Sequence, residues 1–419
     1  MAPQQLAMSS SYLAAVRGLR ELHQLTTAGR LDSPEADAVR DATDAPWNSL
    51  TEEEKKRIGG LSEDLYSITG AAQTATKDVN PQAHARLVDI LQARQRGEWD
   101  RALELLRRWG AYIEPSLLSY QRGVTWLHAG DKATAVIFLK HASDLNPDHE
   151  AYLIMYLNTL NKIAPSQARH RAEEILQNPD IFAPVVVANA SNILFDRGDE
   201  LSEAEWAQFV RKIIPILEST LSKIEGVGEN NIDRSTFSML CALLGFCHEF
   251  LGEDQTALGY YSKGLTASPM NDALLVARGM LLYGASPRAI DDFQLAIRQE
   301  SRLVWPYVFL AHHHIVTGQF EQCRLLCERS LEMRASDSVK SELAEWLAIS
   351  QSELGFPADT VRGSFDAAIR HDPSNDRARR NYAAFEAATR PIQVGLYETR
   401  TRASVRASGL SDRRLRQVA

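Results

Sequence analysis

Three consecutive histidines, His312-His313-His314, and two cysteines four residues apart, Cys323 and Cys327, are the side chains here best suited to chemistry. Imidazole and thiolate together are the ligands of zinc and related metals. A helix offers two ligands to one ion when they stand three or four residues apart. Adjacent histidines point about 100° apart, so one ion cannot take all three rings. Packing is therefore the expected role. Cys323 and Cys327 take a small and a large contact position, His314 a buried aromatic position, and His312 an open face. Cys241, Cys247 and His248 share another helix and are expected in the core. No phosphate-binding loop, dinucleotide glycine motif, HExxH or GxSxG is present. Carboxylates gather in helix first turns, as at Glu52–Glu54 and Glu203–Glu205, where solvation and the helix dipole account for them. The chain is thus not read as an enzyme, and no cofactor is expected. A metal or catalytic centre on His312 and Cys327 stands as an alternative.

The elements that would position these residues are helices arranged in a repeat. Residues 116–147 and 238–269 carry one pattern at one internal spacing. Gly123 matches Gly245, Gly130 matches Gly252, Ala135 matches Ala257, Leu139 matches Tyr261, Ala142 matches Gly264 and Pro147 matches Pro269. Small and large residues at these offsets, closed by proline, resemble the tetratricopeptide repeat (TPR), a helix–turn–helix unit of about 34 residues. The resemblance implies an all-α, right-handed superhelical solenoid of helical hairpins. Its small-residue register continues: Gly245, Gly279 and Ala311 are 34 and 32 residues apart, and Ala257, Ala289 and Cys323 are 32 and 34 apart.

Five segments follow. Residues 1–80 lack the repeat and are expected to form a helical N-terminal cap. Ser33 with Pro34 and Thr51 with Glu54 mark helix starts, and Gly59-Gly60 predicts a break. Asp32–Ile68 is similar to a block that precedes TPR arrays in bacterial proteins of no assigned activity. Its Trp47, Leu50, Ile58, Leu61, Leu65, Tyr66 and Ile68 are expected to cover the first repeat, because a solenoid end exposes an apolar face. Residues 81–179 hold repeats, with Gly97, Ala102 and Leu106 marking the first. Residues 180–237 fit no register and are expected to be an irregular helical insertion. A long amphipathic helix there opens at Ser202 and is kinked by Pro215, and a loop spans Glu225 to Arg234. Residues 238–388 hold the second run of repeats and a polar-faced capping helix. Residues 389–419 carry seven arginines against Glu398 and Asp412 and are expected to be disordered.

Composition restricts function. The formal net charge is −8, and the tail contributes +5 of opposite sign, so nucleic acid is disfavoured for the body. A weak phosphate contact by the arginine-rich tail remains open. No apolar run is long enough to span a bilayer. Four cysteines in 419 residues and no secretory leader point to the cytoplasm.

In the resembled family the first helix of each hairpin lines a concave wall. Carried over by register, that wall holds Tyr120, Val124 and Leu127, then Asn158 and Asn161, then Phe246 and Glu249. Val276, Met280 and Tyr283 follow, then Trp305, Val308 and His312, and finally Trp346, Ser350 and Glu353. Of these, Tyr120, Asn158, Phe246, Met280, Tyr283, Trp305, His312 and Trp346 are the candidate partner contacts. The Lys/Asn clamp that some family members use for chaperone tails is absent, since its positions are Tyr120, Val124, Ala151 and Met155. The leading expectation is a scaffold or adaptor binding a peptide or helix of a protein partner in the groove. The second is a regulator whose superhelix changes shape on binding a peptide or ligand, with 180–237 as hinge.

Overall fold

The computed structural model describes residues 9–69, 81–195, 201–226 and 233–387. Among them there is no strand, and every long element is a helix. The chain divides into two compact units, Met1–Val186 and Val187–Ala419.

The first unit begins with α1 (Ser10–Thr27), α2 (Pro34–Asn48) and α3 (Glu52–Tyr66). Its helix starts are those the sequence marks. Ser33 Oγ accepts from the Ala36 amide, with Pro34 in the first turn. Thr51 and Glu54 form a reciprocal capping box, at 3.2 Å and 2.9 Å. The expected break at Gly59-Gly60 does not occur, and α3 runs through both glycines. A Cβ on Gly60 would lie 2.5 Å from Arg107 Nη1. The glycine therefore gives a guanidinium passage across the helix, where it meets the buried Asp64 at 3.0 Å. Local helix propensity loses here to a tertiary ion pair.

Pairs of helices follow: α4 (Pro81–Gln95) with α5 (Trp99–Trp109), α6 (Pro115–His128) with α7 (Lys132–Leu145), and α8 (Glu150–Ile163) with α9 (Pro165–Gln177). Leu50, between α2 and α3, and Ile58, Leu61 and Leu65 of α3 join Ile90, Leu103, Leu106 and Phe138 in one core. Trp47 and Tyr66, expected in that layer, are exposed at 42% and 81%.

The division between units falls within α10 (Pro184–Phe195). In the second unit Phe195 packs edge-on against Trp206 and Phe209 of α11 (Glu203–Glu225), at 5.5 Å and 5.7 Å. Helix α11 is one element with Pro215 inside it, opened by a Ser202–Glu205 capping box. The described part of 180–237 is thus helical, and α10 is an element the sequence pattern did not announce. Most of the expected loop before Arg234, and the tail 389–419, lie outside the described residues.

Four hairpins complete the unit. These are α12 (Arg234–Phe250) with α13 (Asp254–Ala267), α14 (Asp272–Leu282) with α15 (Arg288–Arg298), α16 (Trp305–Val316) with α17 (Phe320–Leu331), and α18 (Asp337–Glu353) with α19 (Ala358–His371). Helix α20 (Asp376–Glu386) closes them.

One contact explains the repeat. A Cβ on Gly123 would lie 2.6 Å from Leu139, one on Gly245 2.2 Å from the Tyr261 ring, and one on Gly279 2.7 Å from the Phe293 ring. In each hairpin the first helix gives up a side chain so that a large residue of the second can lie against its backbone. The glycine costs about 1 kcal/mol of helix propensity. Full burial of Leu139, Tyr261 and Phe293 offsets it. Turns close at left-handed glycines such as Gly130 (φ 94°) and Gly252 (φ 79°), where a side chain would be strained. The fold is all-α and TPR-like.

Candidate functional site

First helices of the second unit carry a row of large side chains that are only partly covered. Phe246 on α12, Met280 on α14, Tyr283 at the end of α14 and His312 on α16 are half-buried. Phe246, Met280 and Tyr283 rest on the core beneath. The Phe246 ring meets that of Tyr261 at 5.9 Å, and Tyr261 Oη donates to Glu249 at 2.6 Å. Tyr283 Oη and His312 Nδ1 are 2.7 Å apart, and Tyr283 also meets the Phe309 ring at 4.8 Å. The row ends where His312 leans on Trp346, ring centroids 5.6 Å apart.

Two of the candidate partner contacts are core instead. Trp346 is 0% exposed and Trp305 6%. Helix α18 is contacted by α16, α17, α19 and α20, which leaves Trp346 no open side. Trp305 opens α16 among the buried Leu303, Val304 and Phe309. Of the other expected wall residues, Val124, Val276, Val308 and Ser350 are likewise buried.

Burial holds His312 neutral, its pKa lowered to about 4, with the Arg377 cation adding to the effect. Burial also raises the Tyr283 phenol. A histidine whose folded pKa lies below its unfolded value contributes stability fully above pH 6.5 and loses it as pH falls toward 4. At pH 5 the expected loss is about 2 kcal/mol relative to pH 7. His312→Asn should remove that part of the difference. Melting of wild type and variant at both pH values checks this, and equal pH slopes would contradict it.

The histidine–cysteine constellation is not assembled. His314 is half-buried and bonds Gln319 at 2.6 Å, while Ile315 takes the buried position expected of it. Cys323 and Cys327 are fully buried with sulfurs 3.8 Å apart. Burial pushes the Cys327 thiol well up, and its S–H bond lowers that of Cys323. Among the described residues no group of three His, Cys, Asp or Glu side chains could hold a metal ion. Cys241 and Cys247 are core, with burial raising the Cys241 thiol to about 12.

In the first unit Tyr120 on α6 meets Tyr152 on α8 at 4.7 Å, and Tyr152 stacks on His149 at 3.7 Å. Asn158 and Asn161 are half-buried further along α8. One residue on this side escaped the sequence reading. Arg94, near the end of α4, is 7% exposed, and its Nε and Nη1 have no hydrogen-bond partner among the described residues. Its only sequence signal is position: three residues before Gly97, as Leu127, expected on the inner wall, stands three before Gly130.

Among the described residues no helix is long and apolar enough to cross a membrane. No protein-family model matches the chain, and no curated protein matches it. Several solved structures are similar. A tetratricopeptide repeat protein from Parabacteroides merdae shares 14% identity over 69% of this chain and 99% of its own, with a TM-score of 0.38. The C-terminal part of a TPR repeat-containing protein from Cytophaga hutchinsonii shares 12% identity over 69% and 96%, with a TM-score of 0.34. Yeast Tom70 shares 14% identity over 79% and 85%, with a TM-score of 0.24. The TPR-like character of the fold rests on this chain's own hairpins and their glycine contacts.

Proposed function

We propose that this protein is an interaction scaffold or adaptor that takes a peptide or helix of a protein partner along the first-helix face of its second unit. The observation that carries the reading is the row Phe246, Met280, Tyr283 and His312. These are large, partly open side chains on three successive first helices, fixed from below by a packed core. Aromatic and methionine side chains supply much contact area and are enriched where proteins bind. Held by ring and hydrogen-bond contacts, they lose little freedom on binding, which favours affinity. In the first unit Tyr120 and Asn158 are the corresponding contacts. Four free, buried cysteines support a reducing compartment such as the cytoplasm.

The reading is tested by recovering partners from the native source with wild type and with Phe246→Ala/Tyr283→Ala, followed by mass spectrometry. Loss of two anchors should lower recovery of a specific partner by at least about tenfold, with helicity and melting retained. Unchanged recovery by a folded double variant would remove this face from the function.

A further inference from the structure

Among the described residues, buried arginines come with carboxylates, with one exception. Arg122 lies 2.8 Å from Asp64, Arg278 2.7 Å from Asp292, and Arg377 2.8 Å from Glu345. Arg94 is as buried as these, at 7% exposure, yet no carboxylate of the described residues pairs with it. Its Nε and Nη1 are enclosed and without an acceptor among the described residues. A guanidinium withdrawn from water without a counter-charge is strongly unfavourable. Burial accordingly lowers the Arg94 pKa, and the field of this cation helps lower that of His128. Methionine would fill similar space without the penalty.

The surroundings say what would compensate the charge. Arg94 stands at the register position of Leu127 and Glu249, on the first-helix side of its hairpin. Its electrostatic neighbour is Tyr120 on the next first helix, a half-buried phenol backed by Tyr152. A hydroxyl and a guanidinium together are donors suited to a carboxylate oxygen, and a low-dielectric setting strengthens such a charge-assisted bond.

We propose that Arg94, with Tyr120, is an anchor for a carboxylate group presented by a peptide partner. That the carboxylate belongs to a peptide rests on the interaction reading above; the anchor does not. Arg94 lies outside the Lys/Asn clamp positions, and Tyr120 stands at one of them without the clamp's side chain.

The test uses the full chain and acetate as the probe, with acetamide plus sodium chloride at equal ionic strength as the neutral isostere. Acetate should raise the melting temperature of wild type by about 2–4 °C over the control and leave Arg94→Met unmoved. In the control buffer Arg94→Met should melt above wild type, because it removes an uncompensated charge. Melting below wild type in both buffers would make Arg94 a structural residue and overturn the proposal. So would an acetate response equal in the two proteins or absent from wild type. Should Arg94→Met not fold, Arg94→Gln takes its place, since it removes the charge and keeps a polar side chain. An acetate response undiminished in it, or absent from wild type, is then the contrary result. None of these readouts involves a partner protein, so they stand apart from the capture experiment.

Discussion

Glu345→Ala is expected to lower the stability of the second unit by about 3–5 kcal/mol, the range for breaking a buried ion pair from one side. Glu345 is 0% exposed. Its Oε1 accepts from Arg377 Nε at 2.9 Å and Asn381 Nδ2 at 2.6 Å, and its Oε2 from Arg377 Nη2 at 2.8 Å. Both partners sit on α20, so this carboxylate seats the closing helix on α18. Apolar contact helps: Tyr382 of α20 stacks on Phe365 at 5.2 Å. Removing the carboxylate leaves a 7%-exposed guanidinium whose next carboxylate is Glu342, at 3.9 Å. The effect belongs near the lower end of the range if Glu342 moves in. Thermal melting should show a fall on the order of 10 °C for this unit, with the first unit unaffected. A change under about 1 kcal/mol would mean that α20 is held by its aromatic contacts and not by the ion pair.

Trp346→Ala should cost a similar amount, about 3–5 kcal/mol, through cavity formation. The sequence register puts this indole on an open wall, where truncation would weaken binding and spare the fold. The structure puts it at 0% exposure, so the fold itself should suffer. Its Nε1 has no hydrogen-bond partner among the described residues, so Trp346→Phe forfeits no bond and should cost under about 1.5 kcal/mol. Chemical denaturation of the three proteins separates the possibilities. An alanine variant as stable as wild type would return Trp346 to the surface.

The difference between these expectations shows what residue order encodes. Hairpin pairing was legible because it depends on matched residue types: Gly245 is small because Tyr261 is large and lies on it, and Gly123 stands so to Leu139. Helix starts at Ser33 and Thr51 were legible because a cap is a contact between residues three apart. Gly59-Gly60 misled because the reason for Gly60 is Arg107, 47 positions away. At the candidate site, helical register gives the direction in which a side chain leaves its helix but not what stands there. Tyr283 and Trp346 share a nominal direction, yet α20 and its neighbours close over one and leave the other half open. Arg94 was missed for the complementary reason. An arginine in a helix carries no sign of being unpaired until every carboxylate near it has a position.

The interaction reading is most directly tested by a photo-reactive benzoylphenylalanine placed at position 280 and, as a control, at position 325. Leu325 is 52% exposed on the second helix of its hairpin, α17, and Met280 half-buried on the first helix of its own, α14. Irradiation in the native source should give a discrete protein cross-link from position 280 that Phe246→Ala/Tyr283→Ala abolishes, and none from position 325. The same cross-link from both positions, or one that survives the double substitution, would show that partners meet this protein somewhere other than its first-helix face.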